Sequence, residues 1–195
     1  MMQQLKQSYT IKTFDVGPMA NLIYVITDNK TKLSALIDPA WDMTEVYKYI
    51  KTNSLTLKKI LLTHSHHDHV NAVDEILSYF DPEIHINKKE KSFWKKNYDN
   101  FVINYGGDSI YLGETEIKSL HTPGHTPGST CYHIGNDLIA GDTLFVFGCG
   151  RCDLHGGNPE EMFVTLKDIK TSLDPKTIIL PGHNYSIKKT STLKE

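Results

Sequence analysis

The sequence predicts an α/β domain made of two similar halves, with sheets inside and helices outside. Short apolar or alternating segments, which are typical of strands, are interleaved with amphipathic segments of helical period. This interleaving occurs in both halves of the 195-residue chain. No linker or low-complexity block interrupts it, so we expect residues 1–195 to form a single domain.

The first half begins with three strands and a helix. Turn residues separate the strand segments, which are YTIKTFDV from residue 9, NLIYVIT from residue 21 and LSALIDP from residue 33. The helix is predicted over DMTEVYKYIKTN, where Asp42 can act as the cap and Glu45 follows three residues later in a capping-box pattern. A short buried strand, KKILLTH from residue 58, comes next.

A second helix and a further strand complete the first half. The segment DHVNAVDEILSYF from residue 68 predicts a helix because its apolar residues fall on one stripe, namely Val70, Val73, Ile76, Leu77 and Phe80. EIHIN from residue 83 predicts a strand. The basic and aromatic segment KKEKSFWKKNYDNF from residue 88 is expected to form a surface helix, and its run Lys88–Lys96 is typical of a solvated face.

The second half repeats the alternation. Strands are predicted within SIYLGETEIKSLHT from residue 109 and STCYHIGNDLIAGD from residue 129. A helix is predicted over NPEEMFVTLKDIKTSL, because Asn158 can cap it, Pro159 suits its first turn and acidic residues follow. TIILPGH from residue 177 predicts a final buried strand.

The segment LLTHSHHDHVNAV from residue 61 places four histidines and an aspartate at the end of a predicted strand. Residues two apart face the same way in an extended segment, so His64 and His66 can present two imidazoles to one point. Asp68 and His69 follow where the chain turns into a helix, and the helix N-terminus favours a carboxylate there. One short segment can therefore hold two neighbouring cations, while His67 should point away from both.

Three more donors follow glycines at predicted strand ends or loops, where the backbone can bend closely around a site. They are His125 in HTPGHTPGS, Asp142 in LIAGDTLF and His183 in LPGHNY. A carboxylate can bridge two metals, and Asp142 is the natural candidate. Nitrogen and oxygen donors suit two zinc ions, and also iron or manganese.

Composition excludes several other classes of protein. A hydrophobic content of 39% and a charged content of 23% are ordinary for a globular domain. The formal charge of −2 argues against a dedicated nucleic-acid surface, and no apolar stretch approaches the ~20 residues of a membrane span. The N-terminal segment lacks an apolar signal region, and three cysteines do not suggest a disulfide framework. We therefore expect a cytoplasmic protein.

The fragments THSHHDH, HTPGHTPGS, GDTLF and PGHNY together resemble the metallo-β-lactamase superfamily in its glyoxalase II-like branch. The resemblance runs from about residue 14 to the end of the chain and implies a four-layer αββα sandwich. It implies that His64, His66 and His125 bind one metal. It also implies that Asp68, His69 and His183 bind the second, with Asp142 bridging. We predict Asp68 as the catalytic residue as well as a ligand.

The resemblance also narrows the substrate class. True metallo-β-lactamases have no bridging aspartate at the position of Asp142. Glyoxalase II has a C-terminal helical domain that helps to hold glutathione and that we do not expect after IKKTSTLKE, and Asp153 stands where its Tyr contact is expected. GCGRCDLHGGNPEEMF looks more like the zinc-dependent hydrolases of bacterial trans-acyltransferase polyketide biosynthesis, which implies acyl thioesters of an acyl carrier protein. Arg151 and Tyr185 are the expected substrate-binding residues.

Two alternative activities stay open. One is hydroxyacylglutathione hydrolysis. The other is a persulfide dioxygenase, a class that shares the GCGR-x-D segment and uses one iron held by residues matching His64, His125 and Asp142. The chemistry of the predicted site favours hydrolysis of a thioester, in which a metal-activated hydroxide attacks and a thiolate leaves without a strong general acid.

A few neighbouring residues receive structural predictions. Asp38 is expected to orient a ligand imidazole or the adjoining loop, with a plain turn role as the alternative. His121 is expected to lock its loop by a hydrogen bond. Cys149 and Cys152 form a C-x-x-C pair without a second pair, so a separate zinc or redox role is not favoured. The basic run Lys88–Lys96 could also receive an acidic carrier protein.

Overall fold

Two six-stranded mixed sheets form the centre of the protein in a computed structural model that describes residues 8–195. The first sheet has its strands in chain order: β1 (Tyr9–Val16), β2 (Asn21–Asp28), β3 (Leu33–Ile37), β4 (Thr56–Leu61), β5 (Glu83–Asn87) and β6 (Phe101–Asn104). Strands β1 to β3 pair antiparallel, and β3 to β6 pair parallel. The predicted strands of the first half are therefore present in one sheet.

The second sheet is built from the C-terminal half. Its strands are β7 (Ser109–Leu112), β8 (Thr115–His121), β9 (Thr130–Ile134), β10 (Asp137–Gly141), β13 (Ile178–Pro181) and β14 (Ser191–Thr192), in the order β14-β13-β10-β9-β8-β7. The pair β10–β13 is parallel, and a separate small hairpin joins β11 (Leu144–Phe145) to β12 (Gly148–Cys149).

Residues 8–195 contain five helices, which lie outside the two stacked sheets. They are α1 (Thr44–Thr52), α2 (His67–Val70), α3 (Val73–Tyr79), α4 (Lys88–Trp94) and α5 (Pro159–Ser172). One apolar core joins the first sheet to α1 and α3, a second lies between the sheets, and a third joins the second sheet to α5. This is the αββα sandwich that the family resemblance implied, and the fold class is confirmed.

The middle core holds the two sheets together. Tyr24 and Ile26 of the first sheet pack with Tyr132 and Ile139 of the second, and none of the four is more than 1% exposed. Burial of each such side chain contributes about 1.5–3 kcal/mol to folding. The stacked sheets therefore form a rigid base for the loops that leave the strand ends.

Helix α5 begins as the sequence predicted. The side chain of Asn158 accepts hydrogen bonds from the backbone N–H groups of Glu160 and Glu161, at 3.0 and 3.1 Å. Pro159 occupies the first turn, and Met162 and Ile169 are buried on the face that packs against the second sheet. The cap satisfies donors that the first turn of a helix leaves unpaired.

Two helices of the first half differ from the prediction. Helix α1 begins at Thr44, where the Asp42 carboxylate accepts from the backbone N–H, and Glu45 lies near Lys48 instead of completing a capping box. The helix predicted over residues 68–80 is divided into α2 and α3. The backbone N–H of Ala72 donates to the carbonyl of Pro39, so a tertiary contact replaces the helical hydrogen bond there.

The basic segment from residue 88 also differs from its prediction. Helix α4 ends at Trp94, because Lys95 adopts a left-handed conformation, and the chain then returns to the sheet as β6. The helix is not exposed to solvent on all sides, since the side chain of Glu90 is completely buried. Within the described residues 8–195, no helix is long and apolar enough to cross a membrane.

Candidate metal centre

Loops that follow strands of both sheets meet at one edge of the sandwich. The loop after β4 carries His64 and His66, and helix α2 directly after it carries Asp68 and His69. The β8–β9 loop carries His125, and the chain beyond β10 and β13 carries Asp142 and His183. All seven predicted ligands lie within this cluster. The cluster is composed of five imidazoles and two carboxylates.

One group of donors consists of His64, His66 and His125, each offering one ligand atom within 4.8 Å of the others. Nδ1 of His66 lies 2.9 Å from Nε2 of His125. His66 has extended backbone angles, so His64 and His66 face the same side as predicted. The exposed side chain of His67 lies outside the group, with its ring 6.3 Å from that of Trp41.

The second group consists of Asp68, His69 and His183, again within 4.8 Å of one another. The two Nε2 atoms of His69 and His183 are 3.2 Å apart. Oδ2 of Asp68 lies 3.5 Å from Nε2 of His69 and 3.4 Å from Nε2 of His183. These three side chains therefore converge on a second point beside the first.

Asp142 lies between the two groups. Its Oδ1 is 3.4 Å from Nε2 of His69, and its Oδ2 is 3.6 Å from Nε2 of His125 and 3.4 Å from Nε2 of His183. Gly182 permits this approach, because a Cβ at that position would lie 2.4 Å from Oδ1 of Asp142. The glycine that precedes His183 in the sequence is therefore required for steric reasons.

The outward-facing nitrogens of four imidazoles contact fixed groups of the protein. Nδ1 of His64 lies 3.0 Å from Oγ1 of Thr63, and Nδ1 of His69 lies 3.0 Å from Oδ2 of Asp38. Nδ1 of His125 lies 2.7 Å from the carbonyl oxygen of Arg151, and Nδ1 of His183 lies 2.9 Å from that of Met19. Such contacts fix the ring orientation and leave Nε2 aimed into the cluster.

Asp38 has the orienting position that the sequence predicted. Besides the contact with His69, its carboxylate accepts hydrogen bonds from the backbone and hydroxyl of Thr63, at 2.7 and 2.5 Å. Asp38 is buried and has a φ of 49°, a conformation that Asp adopts more readily than most residues. A carboxylate oxygen of Asp38 also lies within 4.8 Å of nitrogens of His64 and His69. Its oxygens already accept these hydrogen bonds, so we assign it the orienting role.

Asn21 holds the proposed ligand Asp68 in position, and the sequence did not predict this contact. Its amide donates to Oδ2 of Asp68 at 2.9 Å and to the Asp68 carbonyl at 3.0 Å, and its oxygen accepts from the indole of Trp41 at 2.8 Å. Asn21 stands at the start of β2, directly after a turn. No local signal in the sequence separates it from an ordinary turn residue.

Burial and charge act in opposite directions within the cluster. Burial, joined by the neighbouring imidazoles, holds the pKa of His64 well below its usual value and lowers the pKa of His66 to about 4. Burial also opposes charge on His69, but Asp142, Asp38 and Asp68 outweigh it and raise the pKa of His69 to about 9. The cluster therefore attracts positive charge near the carboxylates and keeps unprotonated nitrogens available beside them.

The donor set fits divalent cations. Nε2 of His64 and Oδ1 of Asp142 are buried without a hydrogen-bond partner in the part of the chain that the structure describes. Unpaired buried polar atoms are costly, and a cation at the convergence point would satisfy both. Five imidazole nitrogens and two carboxylates are also the ligand types that zinc, iron and manganese accept.

The two predicted substrate-binding residues lie at the surface near the cluster. The ring of Tyr185 stacks on that of His183 with centroids 4.6 Å apart, and Tyr185 is 61% exposed. The guanidinium of Arg151 pairs with the carboxylate of Asp153 through two hydrogen bonds of 2.7 Å. Tyr185 therefore presents an exposed ring beside a proposed ligand, whereas the guanidinium of Arg151 is already paired with Asp153.

His121 makes a hydrogen bond within its loop, and Cys149 and Cys152 are free cysteines. Nε2 of His121 lies 2.9 Å from the carbonyl oxygen of Pro127, which closes the loop around His125 as predicted. Cys149 is exposed and Cys152 is partly buried, and both are free thiols. Burial is the main cause that raises the pKa of the Cys152 thiol, with Cys149 and Asp153 adding to it.

Comparison with known proteins agrees with this geometry. The sequence profile described as the metallo-beta-lactamase superfamily matches residues 16–183. A probable polyketide biosynthesis zinc-dependent hydrolase of Bacillus subtilis is 33% identical over 187 residues, which cover 96% of this chain and 83% of that protein. A probable hydroxyacylglutathione hydrolase of Schizosaccharomyces pombe is 34% identical over 179 residues, covering 87% and 66%. The crystal structure of ETHE1 from Myxococcus xanthus superposes with a TM-score of 0.83 at 26% identity, covering 95% of this chain and 80% of that one.

Proposed function

The chain belongs to the metallo-β-lactamase superfamily, and we propose that within it this protein hydrolyses acyl thioesters with the aid of two divalent metal ions. One observation carries the proposal. The carboxylate of Asp142 lies within 3.6 Å of imidazole nitrogens from both donor groups, which is the arrangement expected of a bridging ligand. Zinc is the proposed metal because a relative is named as zinc-dependent, and iron or manganese suits the same donors.

The residues of the chain have separate roles in the proposed reaction. When bound, the two cations would lower the pKa of a water molecule towards neutrality and polarise the acyl carbonyl. Asp68 is the proposed catalytic carboxylate, which accepts a proton from the attacking water. The amide of Asn21 donates to Oδ2 of Asp68 and holds the carboxylate in place. Tyr185, stacked on His183, forms an apolar wall for the acyl group.

The leaving group favours a thioester over an amide. A thiol has a pKa of about 8.5, so a thiolate can depart without a strong general acid. An amine must be protonated as it leaves, which requires a positioned acid. We assign no separate acid to that task, because a departing thiolate does not require one.

We propose an acyl carrier protein as the thiol carrier. A relative named as a polyketide biosynthesis hydrolase supports this choice. Helix α4 supports it as well, because Lys88 and Lys89 are exposed while the neighbouring Glu90 contacts the metal-binding loops. Carrier proteins that deliver acyl groups on a phosphopantetheine arm are acidic, so lysines beside the site would steer their encounter.

Two alternative activities are each supported by a specific observation. Similarity to a probable hydroxyacylglutathione hydrolase favours a glutathione thioester. The segment GCGRCD favours a persulfide dioxygenase, for which His64, His125 and Asp142 would supply two imidazoles and one carboxylate to a single iron. The first alternative would release glutathione as the thiol, whereas the second would require a single iron ion.

The decisive assay loads the metal-free protein with zinc, manganese or iron and measures two products. The proposal predicts thiol release from an acyl N-acetylcysteamine thioester without oxygen uptake. Oxygen uptake with a glutathione persulfide, confined to the iron form, would replace the hydrolase by the dioxygenase. Inertness of every metal form towards thioesters would refute the proposal.

The carrier is tested by comparing kcat/KM for the same acyl group on a carrier protein and on glutathione. We expect the carrier-protein ester to be preferred and the double variant K88E/K89E to lower its kcat/KM about tenfold at low salt. K167E, at an exposed lysine on α5, is the matched control and should not lower it. A clear preference for the glutathione ester would assign the protein to the glyoxalase II group instead.

A further inference from the structure

We propose that Glu90 is a positioning residue that sets the separation of the two loops carrying His64, His66 and His125. The inference rests on the proposed metal centre. Glu90 lies on α4, within a segment that the sequence predicts to be a solvated basic face. Its side chain is nevertheless 0% exposed, and its two carboxylate oxygens face the loops and not the solvent.

The Glu90 carboxylate joins one loop through each oxygen. Oε1 accepts hydrogen bonds from the backbone N–H of Ser65 at 2.8 Å and from its hydroxyl at 2.5 Å. Oε2 accepts from the hydroxyl of Thr126 at 2.7 Å and from the backbone N–H of Gly128 at 3.0 Å. Four donors therefore converge on one buried carboxylate, which uses its full acceptor capacity.

The partners of Glu90 are direct neighbours of the proposed ligands. Ser65 lies between His64 and His66, and Thr126 follows His125. By holding the backbone at Ser65 and the side chain at Thr126, Glu90 sets the distance between the imidazoles of His66 and His125, whose loops follow strands of different sheets. Nδ1 of His66 and Nε2 of His125 are 2.9 Å apart, so small loop shifts would change how both contact one cation.

Close backbone packing at Gly128 also holds Glu90 against the loop that carries His125. A Cβ at Gly128 would lie 2.1 Å from the backbone nitrogen of Glu90 and 2.5 Å from its Cα. The backbone of α4 therefore lies directly on the loop after His125. The backbone N–H of Thr130, at the start of β9, also donates to the carbonyl of Thr63 at 2.8 Å, so the Glu90 carboxylate adds to a backbone contact between the same two parts of the chain.

The second donor group has its own supports. The contacts of Asn21 reach Asp68, and the contact of Asp38 reaches His69. Glu90 is hydrogen-bonded to neither Asp68 nor His69 nor His183 among the bonds of its carboxylate. Loss of the Glu90 carboxylate should therefore weaken one metal position selectively, which a general loss of stability would not do.

The test uses Glu90→Gln, which preserves the size of the side chain. A carboxamide offers one acceptor oxygen, so its NH₂ group must face the N–H and hydroxyl donors of one loop. Zinc dissociation constants are measured by competition with a chromophoric chelator. We expect E90Q to weaken one zinc position roughly 10–100-fold, the range observed when groups that orient metal ligands are removed. E45Q, at an exposed glutamate of α1, is the matched control and should leave both constants unchanged.

Two ligand variants identify the affected position. In an Asp68→Ala background, where the second group is damaged, E90Q should still weaken the remaining zinc. In a His66→Ala background, where the first group is damaged, E90Q should have little further effect, because additivity fails when two changes act on one site. Gly128→Ala, which pushes α4 away from the loop, should reproduce the pattern of E90Q.

The possible results separate this inference from the proposed function. Wild-type zinc constants in E90Q, or equal losses in both backgrounds, would overturn the positioning role while leaving the metal centre intact. A wild-type protein that binds no zinc, iron or manganese would instead refute the proposed function, and the inference with it. Urea unfolding of E90Q and E45Q shows whether a change in affinity follows from a change in folding.

Discussion

Oδ2 of Asp38 lies 3.0 Å from Nδ1 of His69, and both side chains are at most 3% exposed. This contact ties the end of β3 to a proposed ligand of the second metal. It fixes the His69 ring so that Nε2 faces Asp142 and His183.

Asp38→Asn should therefore weaken zinc binding about tenfold or more, because a single amide oxygen must then serve both Thr63 and His69. Asn tolerates the left-handed backbone at this position, so the change tests the carboxylate and not the turn. Chelator competition measures the affinity. Asp42→Asn, at the start of α1, is the control, and equal affinity in the two variants would contradict the orienting role.

His66→Ala and His67→Ala should differ in metal content. The side chain of His66 faces His64 and His125, whereas the adjacent His67 is exposed. We expect His67→Ala to retain the metal content of the wild type and His66→Ala to lose at least one ion per chain, as measured by elemental analysis. Equal losses in the two variants would show that the register of the ligand loop is wrong.

Asp142→Ala should abolish the bridge between the donor groups. The variant should hold at most one metal ion tightly and lose most thioesterase activity, because Asp142 contacts imidazoles of both groups. Dialysis against a weak chelator followed by elemental analysis counts the ions that remain. Retention of two tightly bound ions would refute the bridging assignment.

The carboxylate of Asp28 should make stability depend on pH in the acid range. Burial alone would raise its pKa, but hydrogen bonds from Thr31, Thr115 and the backbone of Glu114 outweigh burial and lower the pKa from 3.8 to about 2. A depressed pKa in the folded state stabilises the protein above pH ~4, by about 2 kcal/mol, and this contribution is lost as the pH falls towards 2.

Urea unfolding between pH 6 and pH 2 measures this contribution. Asp28→Asn should lower the free energy of unfolding at pH 6 by about 1–3 kcal/mol, since buried donors lose an acceptor. Below pH 4, the free energy of unfolding of this variant should also fall less steeply with decreasing pH than that of the wild type. Asp81→Asn, at an exposed position, should change neither quantity. An unaltered acid decline in the Asp28 variant would show that other carboxylates dominate.

Local patterns in the sequence predicted the elements whose determinants are local. The cap at Asn158 and the alternation of the strands depend on residues close together in the chain, and both are present. The division at Ala72 depends on Pro39, 33 positions earlier, so helical periodicity could not reveal it. Strand β6 was missed for the same reason, because pairing with β5 defines it.

The same distinction holds for the site. His64, His66, Asp68 and His69 share one short segment, and the glycines before His125, Asp142 and His183 gave additional signals. Asn21 and Glu90 gave no such signal. Their contacts with Asp68 and Thr126 span 47 and 36 positions, and a lysine-rich neighbourhood hides the buried carboxylate. Residues that support ligands are recognised through tertiary contacts, which sequence spacing does not report.

Two metal ions acting together are proposed to support thioester hydrolysis. This proposal is tested by titrating metal-free protein with zinc and following the initial rate of thiol release from an acyl N-acetylcysteamine thioester. We expect a rate that rises until two equivalents per chain are bound and then stays constant. A rate that saturates at one equivalent, or thiol release that never exceeds the background, would contradict it.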